Sequence, residues 1–155
     1  MNGKVYQTIY GSGGNCWQAV VASLLGLRLE DVPHFVSFEN SFEVHDKFLL
    51  EHGYVNIKQI VNPRRLKHYG DDLFDEISQY TGVNGLFKAC VYSPGMFTPE
   101  LMCSDNEPTH AVVIDTHFNI VHDPNINYAE VKSYPLSEVL GYNGIISFDC
   151  ITKKP

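Results

Sequence analysis

Residues 14–27 read GNCWQAVVASLLGL, and this stretch decides the fold because it joins a glycine-rich start to a helical pattern. Its small and apolar side chains recur at helical spacing, at Cys16, Ala19, Val20, Leu24 and Leu27. Asn15 suits the N-cap position before a helix, and Gly26 suits the position after one. We therefore predict a helix over residues 16–26.

The segments around this helix change along the chain from helical to strand-like patterns. A short strand is expected at 4–10, a second helix at 41–52, a strand at 54–61 and a third helix at 71–80. Further strands are expected at 86–92, 110–115, 119–123 and 144–151, with a helical turn at 136–141 and an irregular surface loop at 93–109. Helices first and strands later predict an α+β fold, with N-terminal helices packed on a C-terminal antiparallel sheet.

Length and composition indicate one ordinary globular domain over residues 1–155. The chain is 44% hydrophobic and 19% charged, which is typical of a folded domain with a single core. Its net charge of −7 disfavours nucleic acid as a partner, because phosphate binding needs clustered Lys and Arg. No apolar run approaches the roughly 20 residues of a membrane span, and the first residues lack the apolar region of a signal peptide.

Four cysteines are scattered without a C-x-x-C pair: Cys16, Cys90, Cys103 and Cys150. Since no signal peptide is evident, this pattern predicts reduced thiols in a cytoplasmic protein. The spacing of the cysteines and of the seven histidines fits neither H-E-x-x-H nor a paired-cysteine zinc site. We therefore expect no metal and no cofactor.

Cys16 differs from the other cysteines because it follows a glycine-rich turn and begins the predicted helix. Unpaired backbone N–H groups and the helix dipole stabilise an anion at such a position and lower the pKa of a thiol. Because the thiolate is the reactive form, this position favours a nucleophile. The alternative is that Cys16 fills the core as a small apolar residue.

A base for this nucleophile is expected at His110, which opens an apolar run. Residues 110–115 and 118–123 are expected to pair as a hairpin. His110 then lies directly opposite Asp123, and opposed residues share one face of a sheet. A carboxylate there orients the imidazole and stabilises its charged form, as a Cys-His-Asp site requires. The neighbouring His122 would point to the other face and be solvated. The alternative is a structural histidine beside an unrelated aspartate.

These motifs resemble those of papain-like cysteine peptidases. Residues 14–19 (GNCWQA) and 22–27 (ASLLGL) are similar to the catalytic-cysteine helix of that superfamily. Residues 109–113 (THAVV) and 122–124 (HDP) are similar to its histidine strand and its Asp-Pro at the end of the next strand. The similarity is greatest to the bacteriocin-processing branch, the double-glycine leader peptidases, and similar short chains are often encoded by bacteriophages. The resemblance implies a papain-like fold.

The resemblance also implies a hydrolase that cleaves a peptide or isopeptide bond in a protein or peptide substrate, such as a host protein. Cys16 would be the nucleophile, His110 the base and Asp123 the group that orients the base. Papain-like enzymes usually carry a glutamine about six residues before the cysteine, and its amide stabilises the oxyanion. Tyr10 stands at that position here, so the role is assigned to Gln7, the nearest upstream glutamine.

Two other functions fit the same residues. Acyl transfer and deamidation proceed through the same thioester intermediate as hydrolysis. An inactive papain-like scaffold could instead act as a binding or inhibitory protein. Its acidic surface and residues 40–105, which carry no matching motif, would then supply the contacts.

Overall fold

The computed structural model describes residues 3–11, 13–60, 82–92, 109–128 and 145–155. The helix predicted at 71–80, the helical turn predicted at 136–141 and nearly all of the loop predicted at 93–109 lie outside the described residues, as does Cys103.

Two α-helices form in the N-terminal third of the chain. Helix α1 spans Cys16–Leu25, and α2 spans Ser41–Glu51. Gly26 ends α1 in the left-handed conformation, with φ 68°, which glycine adopts without a Cβ penalty. Both predicted helices are therefore confirmed to within a residue at each end. Neither has the length and apolar character of a membrane-spanning segment, and no other described helix does.

Within the described residues, five strands form one antiparallel sheet: β1 (Tyr54–Ile60), β2 (Phe87–Tyr92), β3 (Thr109–Ile114), β4 (Ile120–His122) and β5 (Ile145–Lys153). Their order across the sheet is β1-β5-β2-β3-β4. Each strand lies within two residues of its predicted bounds. Helix α1 packs on β3 and β2, and α2 packs on β1. The α+β class is confirmed.

Residues 4–10 do not form the predicted strand. Individual hydrogen bonds to side chains from other parts of the fold hold residues 4–10 instead. The Val5 N–H donates to Ser23 Oγ at 2.9 Å, and His122 Nε2 donates to the Val5 carbonyl at 2.8 Å. His122 is consequently buried, so the prediction that it is solvated was wrong.

Apolar side chains are buried on both faces of the sheet. Val112 and Ile114 belong to one apolar cluster, whereas Ala111 and Val113 belong to a second cluster that includes the helices. Successive residues of β3 alternate between the two clusters because successive side chains of a strand point to opposite faces. Strand β3 is thus packed on both faces. This packing holds the strand that carries His110, the predicted base, in place.

A charged cluster also lies within the core. Lys88 and Asp149 face each other on β2 and β5 and form a buried ion pair. The Lys88 Nζ lies 4.8 Å from the centroid of the Trp17 ring. His45, 1% exposed, packs against Trp17 and Phe35. Its burial, followed by the charge of Lys88, lowers the pKa of His45 to about 4.

Candidate active site

Cys16 begins α1 directly after a tight glycine-rich turn. The Gly14 N–H donates to the Gly11 carbonyl at 3.0 Å, and the Asn15 N–H donates to the Ile9 carbonyl at 3.1 Å. Gly14 has no room for a side chain, because an added Cβ would lie 2.8 Å from the Ile9 carbonyl oxygen. The turn places Cys16 at the helix N-terminus, where the dipole favours an anion.

Asn15 occupies the N-cap position of α1, as predicted, but its side chain makes no capping bond. Its Oδ1 accepts the N–H groups of Thr8 at 2.9 Å and Ile9 at 2.8 Å instead. Its Nδ2 donates to Thr8 Oγ1 and Gln18 Oε1, both at 3.1 Å. Gln18 in turn donates to two carbonyl groups in the turn after α1. These bonds fix the helix start against the segment that precedes it.

His110 is bonded to Asp123 as the sequence predicted. Its Nε2 donates to Asp123 Oδ1 at 2.6 Å, and each of the two side chains is 5% exposed. The backbone N–H of Asn125 donates to the same Oδ1 at 2.8 Å, a local turn that Asp favours. The ring of Tyr128 packs edge-on against the imidazole, with centroids 5.6 Å apart. The imidazole is held in one orientation, which leaves Nδ1 for the sulfur.

The strand register that brings His110 to Asp123 differs from the predicted one. Val113 pairs with His122, and β4 ends at that residue. Continued to the start of β3, this register would place His110 opposite Asn125, so Asp123 is offset by two positions. The two side chains still meet because an even offset keeps residues on the same face.

The turn between β3 and β4 and an irregularity in their pairing together explain the changed register. Ile114 pairs with Ile120, one position from the predicted partner, and the register shifts by one more position between Ile114 and Val113. Asp115, predicted as a strand residue, accepts the N–H groups of His117 at 2.8 Å and Asn119 at 3.0 Å through its carboxylate. Phe118 adopts a positive φ of 62° and is fully buried. The turn is therefore longer and more irregular than the predicted hairpin.

The side chains of Cys16 and His110 lie close enough for each to shift the pKa of the other. Burial raises the pKa of the Cys16 thiol, but the hydrogen bond and charge of His110, with N–H groups of Ala111 and Trp17, outweigh it, so the pKa is lowered. Burial opposes the charged form of His110. Hydrogen bonds to Asp123 and Cys16 and their charges nevertheless raise the pKa of His110 to about 9. These opposite shifts favour a thiolate beside an imidazolium over a neutral thiol beside a neutral imidazole.

Gln7 lies between the turn before Cys16 and the loop after Asp123. It is 5% exposed, and its backbone N–H donates to the Pro124 carbonyl at 2.9 Å. Its side-chain Nε2 donates to the Ile9 carbonyl at 3.0 Å, and its buried Oε1 has no hydrogen-bond partner among the described residues. One of the two N–H groups of the Gln7 side-chain amide is therefore already bonded, to the Ile9 carbonyl. The role of Gln7 as a hydrogen-bond donor to the oxyanion stays a prediction.

Comparison with known proteins adds no family assignment to this geometry. The chain matches no protein family, no curated protein and no solved structure. Its chemistry must therefore be inferred from its own side chains.

Of the other cysteines, Cys90 pairs with Ala111 beside the site, and burial together with the charge of Cys16 raises the pKa of the Cys90 thiol. Cys150 is buried in the core, and Cys90, like Cys150 and Cys16, is a free thiol. Among the described residues, no group of three or more His, Cys, Asp or Glu side chains is arranged to hold a metal ion. Sequence reasoning missed the contact of Tyr128 with the His110 ring and the bonds by which Asn15 holds the segment before α1. Both depend on neighbours that the local sequence does not reveal.

Proposed function

We propose that this protein is a cysteine-dependent hydrolase of a peptide or isopeptide bond, with Cys16 as nucleophile, His110 as base and Asp123 as the group that orients the base. One observation carries the proposal: the His110 imidazole is bonded to the buried Asp123 carboxylate and lies close enough to the Cys16 thiol for each group to shift the pKa of the other. Nucleophilic catalysis needs a base within hydrogen-bond reach of the nucleophile, oriented in turn by a third group.

A purely structural role accounts for this arrangement less well. Removing charged groups from water is costly, and apolar side chains of similar volume would stabilise the core as well or better. The Cys16 pKa is lowered and the His110 pKa is raised within one contact. Paired shifts of this kind cluster at functional sites.

In the first half of the proposed reaction, the Cys16 thiolate attacks the carbonyl carbon of the scissile amide. A C–S bond forms and the carbonyl oxygen becomes an oxyanion, which the Cys16 N–H at the helix start and Gln7 would stabilise. The His110 imidazolium then gives its proton to the leaving nitrogen as the C–N bond breaks. The products are a thioester and a free amine.

In the second half, water attacks the thioester and neutral His110 accepts its proton. The C–S bond breaks, the acid is released, and the thiolate–imidazolium pair is restored. Asp123 stabilises the charged imidazole throughout. Attack by an amine instead of water would transfer the acyl group, and attack on a side-chain amide would deamidate the substrate.

The arrangement also supports a papain-like fold as a proposal. A helix that carries the cysteine at its start precedes an antiparallel sheet that carries the histidine, with the aspartate just after the next strand. We propose a protein or peptide substrate. The free thiols of Cys16, Cys90 and Cys150 suit a cytoplasmic location, where thiols stay reduced.

Cleavage of a peptide library tests this function. Peptides derived from a bacterial proteome are incubated with the wild-type protein, with Cys16→Ala and with Cys150→Ala, a matched control that removes a core cysteine. New peptide termini are then identified by mass spectrometry, and glutamine-to-glutamate conversions are scored in the same spectra.

The expected result is a set of new termini that the wild type and Cys150→Ala share and Cys16→Ala lacks. His110→Gln should abolish the same termini, because the base is lost. Identical spectra for the wild type and Cys16→Ala would contradict the proposal and favour a binding protein.

A further inference from the structure

Asn15 is held more completely than a residue before a helix requires. It directly precedes Cys16 and is 2% exposed. An asparagine amide offers two acceptor sites and two N–H groups. All four are used, because Oδ1 accepts from Thr8 and Ile9 and Nδ2 donates to Thr8 and Gln18. None of these bonds caps α1.

The bonds of Asn15 anchor residues 7–9, here named the linking segment. The side chains of Thr8 and Ile9 are exposed, Ile9 to 46%, so neither contributes a core contact that would hold this part of the chain. The Asn15 side chain instead holds their backbone N–H groups against the helix start.

The other end of the linking segment reaches the group that orients the base. The Gln7 N–H donates to the Pro124 carbonyl at 2.9 Å, and Pro124 directly follows Asp123. The His110 imidazole bonds Asp123 and lies beside Cys16. The contacts therefore close a ring that runs from the nucleophile through the linking segment to the base and back.

We infer that Asn15 is a positioning residue for the Cys16–His110 pair and acts through the linking segment. This inference rests on the proposed function. The two groups come from distant parts of the chain, and a hydrogen bond weakens steeply with misalignment. Asn15 ties the helix start to the loop that fixes the imidazole, so that both move as one unit.

Alkylation of Cys16 by iodoacetamide tests this role in Asn15→Ala. The rate is followed over a range of pH by mass spectrometry of the peptide that contains Cys16. At neutral pH the rate should fall by about tenfold, as small displacements of reacting groups commonly cause, and its midpoint should move to higher pH. Asn40→Ala is the matched control, since Asn40 precedes α2 at the same position but is exposed. Its rate should equal that of the wild type.

A double-mutant cycle shows whether Asn15 affects the reactivity of Cys16 through the ring of contacts or independently of it. Asp123→Ala removes the oxygen that accepts from His110 and from the Asn125 N–H and so breaks the ring at its other end; Asn15→Ala should therefore cost much less in that background than in the wild type. Fully additive effects on the rate would overturn the inference, because coupled residues are not additive.

Thr8→Val keeps the inference testable if Asn15→Ala fails to fold. This change is isosteric, lies at an exposed side chain and removes only the bond from Asn15 Nδ2 to Thr8 Oγ1. A smaller fall in the alkylation rate supports the inference, and an unchanged rate overturns it. If the wild type itself reacts no faster than His110→Gln, the proposed function fails instead.

Discussion

The ratio of iodoacetate to iodoacetamide reactivity at Cys16 should fall as the pH rises through about 9. The perturbation is the loss of the His110 proton, since the carboxylate of Asp123 and the sulfur of Cys16 raise the pKa of His110 to about 9 against burial. Below that pH the imidazolium attracts the anionic reagent. Above it the imidazole is neutral, and the attraction is gone.

The size of the effect follows from the contact between His110 and Cys16. A reagent carboxylate at the sulfur comes within about 5 Å of the imidazolium, which corresponds to about 0.8 kcal/mol at the dielectric constant of water and about 3 kcal/mol at an effective value of 20. The ratio should therefore fall by at least about fourfold at low salt. The charge of Asp123 adds a repulsion that is the same on both sides of this pH.

Residue-resolved mass spectrometry gives both rates at Cys16 without interference from the other cysteines. His110→Gln is the control, and its ratio should be low and flat across the same range because no charge is lost. A wild-type ratio that stays constant through pH 9, or that already falls near pH 6.5, would refute the ion pair.

Two further predictions concern the core. The pKa of His45, lowered to about 4 from 6.5, means that the unfolded chain binds a proton near pH 6.5 that the folded chain binds only near pH 4. The free energy of unfolding should fall by up to about 3 kcal/mol as the pH drops through this window, and His45→Phe should remove most of that loss in urea titrations; an equal loss would contradict the assignment. Lys88→Met should cost about 3–5 kcal/mol because Asp149 stays buried without its partner. The double variant Lys88→Met/Asp149→Leu should recover most of the lost free energy of unfolding, because no buried charge is then left unpaired. If urea unfolding gives the single and the double variant equal stabilities, the Lys88–Asp149 ion pair does not make the expected contribution.

The helices were predictable because independent local signals agree. In α1 the apolar spacing and the stop at Gly26 mark the same element. Residues 4–10 are rich in β-branched and aromatic side chains, but no strand in the described part of the chain pairs with them. Their partners are single side chains, Ser23, His122 and Asn15 among them, and local sequence does not reveal such partners.

The chemistry of their side chains pointed to the three proposed site residues. The predicted strand register that joined two of them was partly wrong. His110 and Asp123 meet although their predicted register is incorrect, because the offset is even and preserves the shared face. The turn that Asp115 organises shifts the pairing by one position, and the irregularity between Ile114 and Val113 shifts it by a second. An odd offset would have separated the pair, so the success depended on a parity that the sequence alone did not specify.

The position of β5 has a consequence for how the protein is made. This strand is the last along the chain, yet it lies between β1 and β2 in the sheet. Since β5 is the strand that joins β1 to β2, helix α2 and β1 can become part of the sheet only once β5 is in place. Helix α1 packs directly on β3 and β2, so the Cys16 thiol can meet the strand that bears His110 before β5 is added.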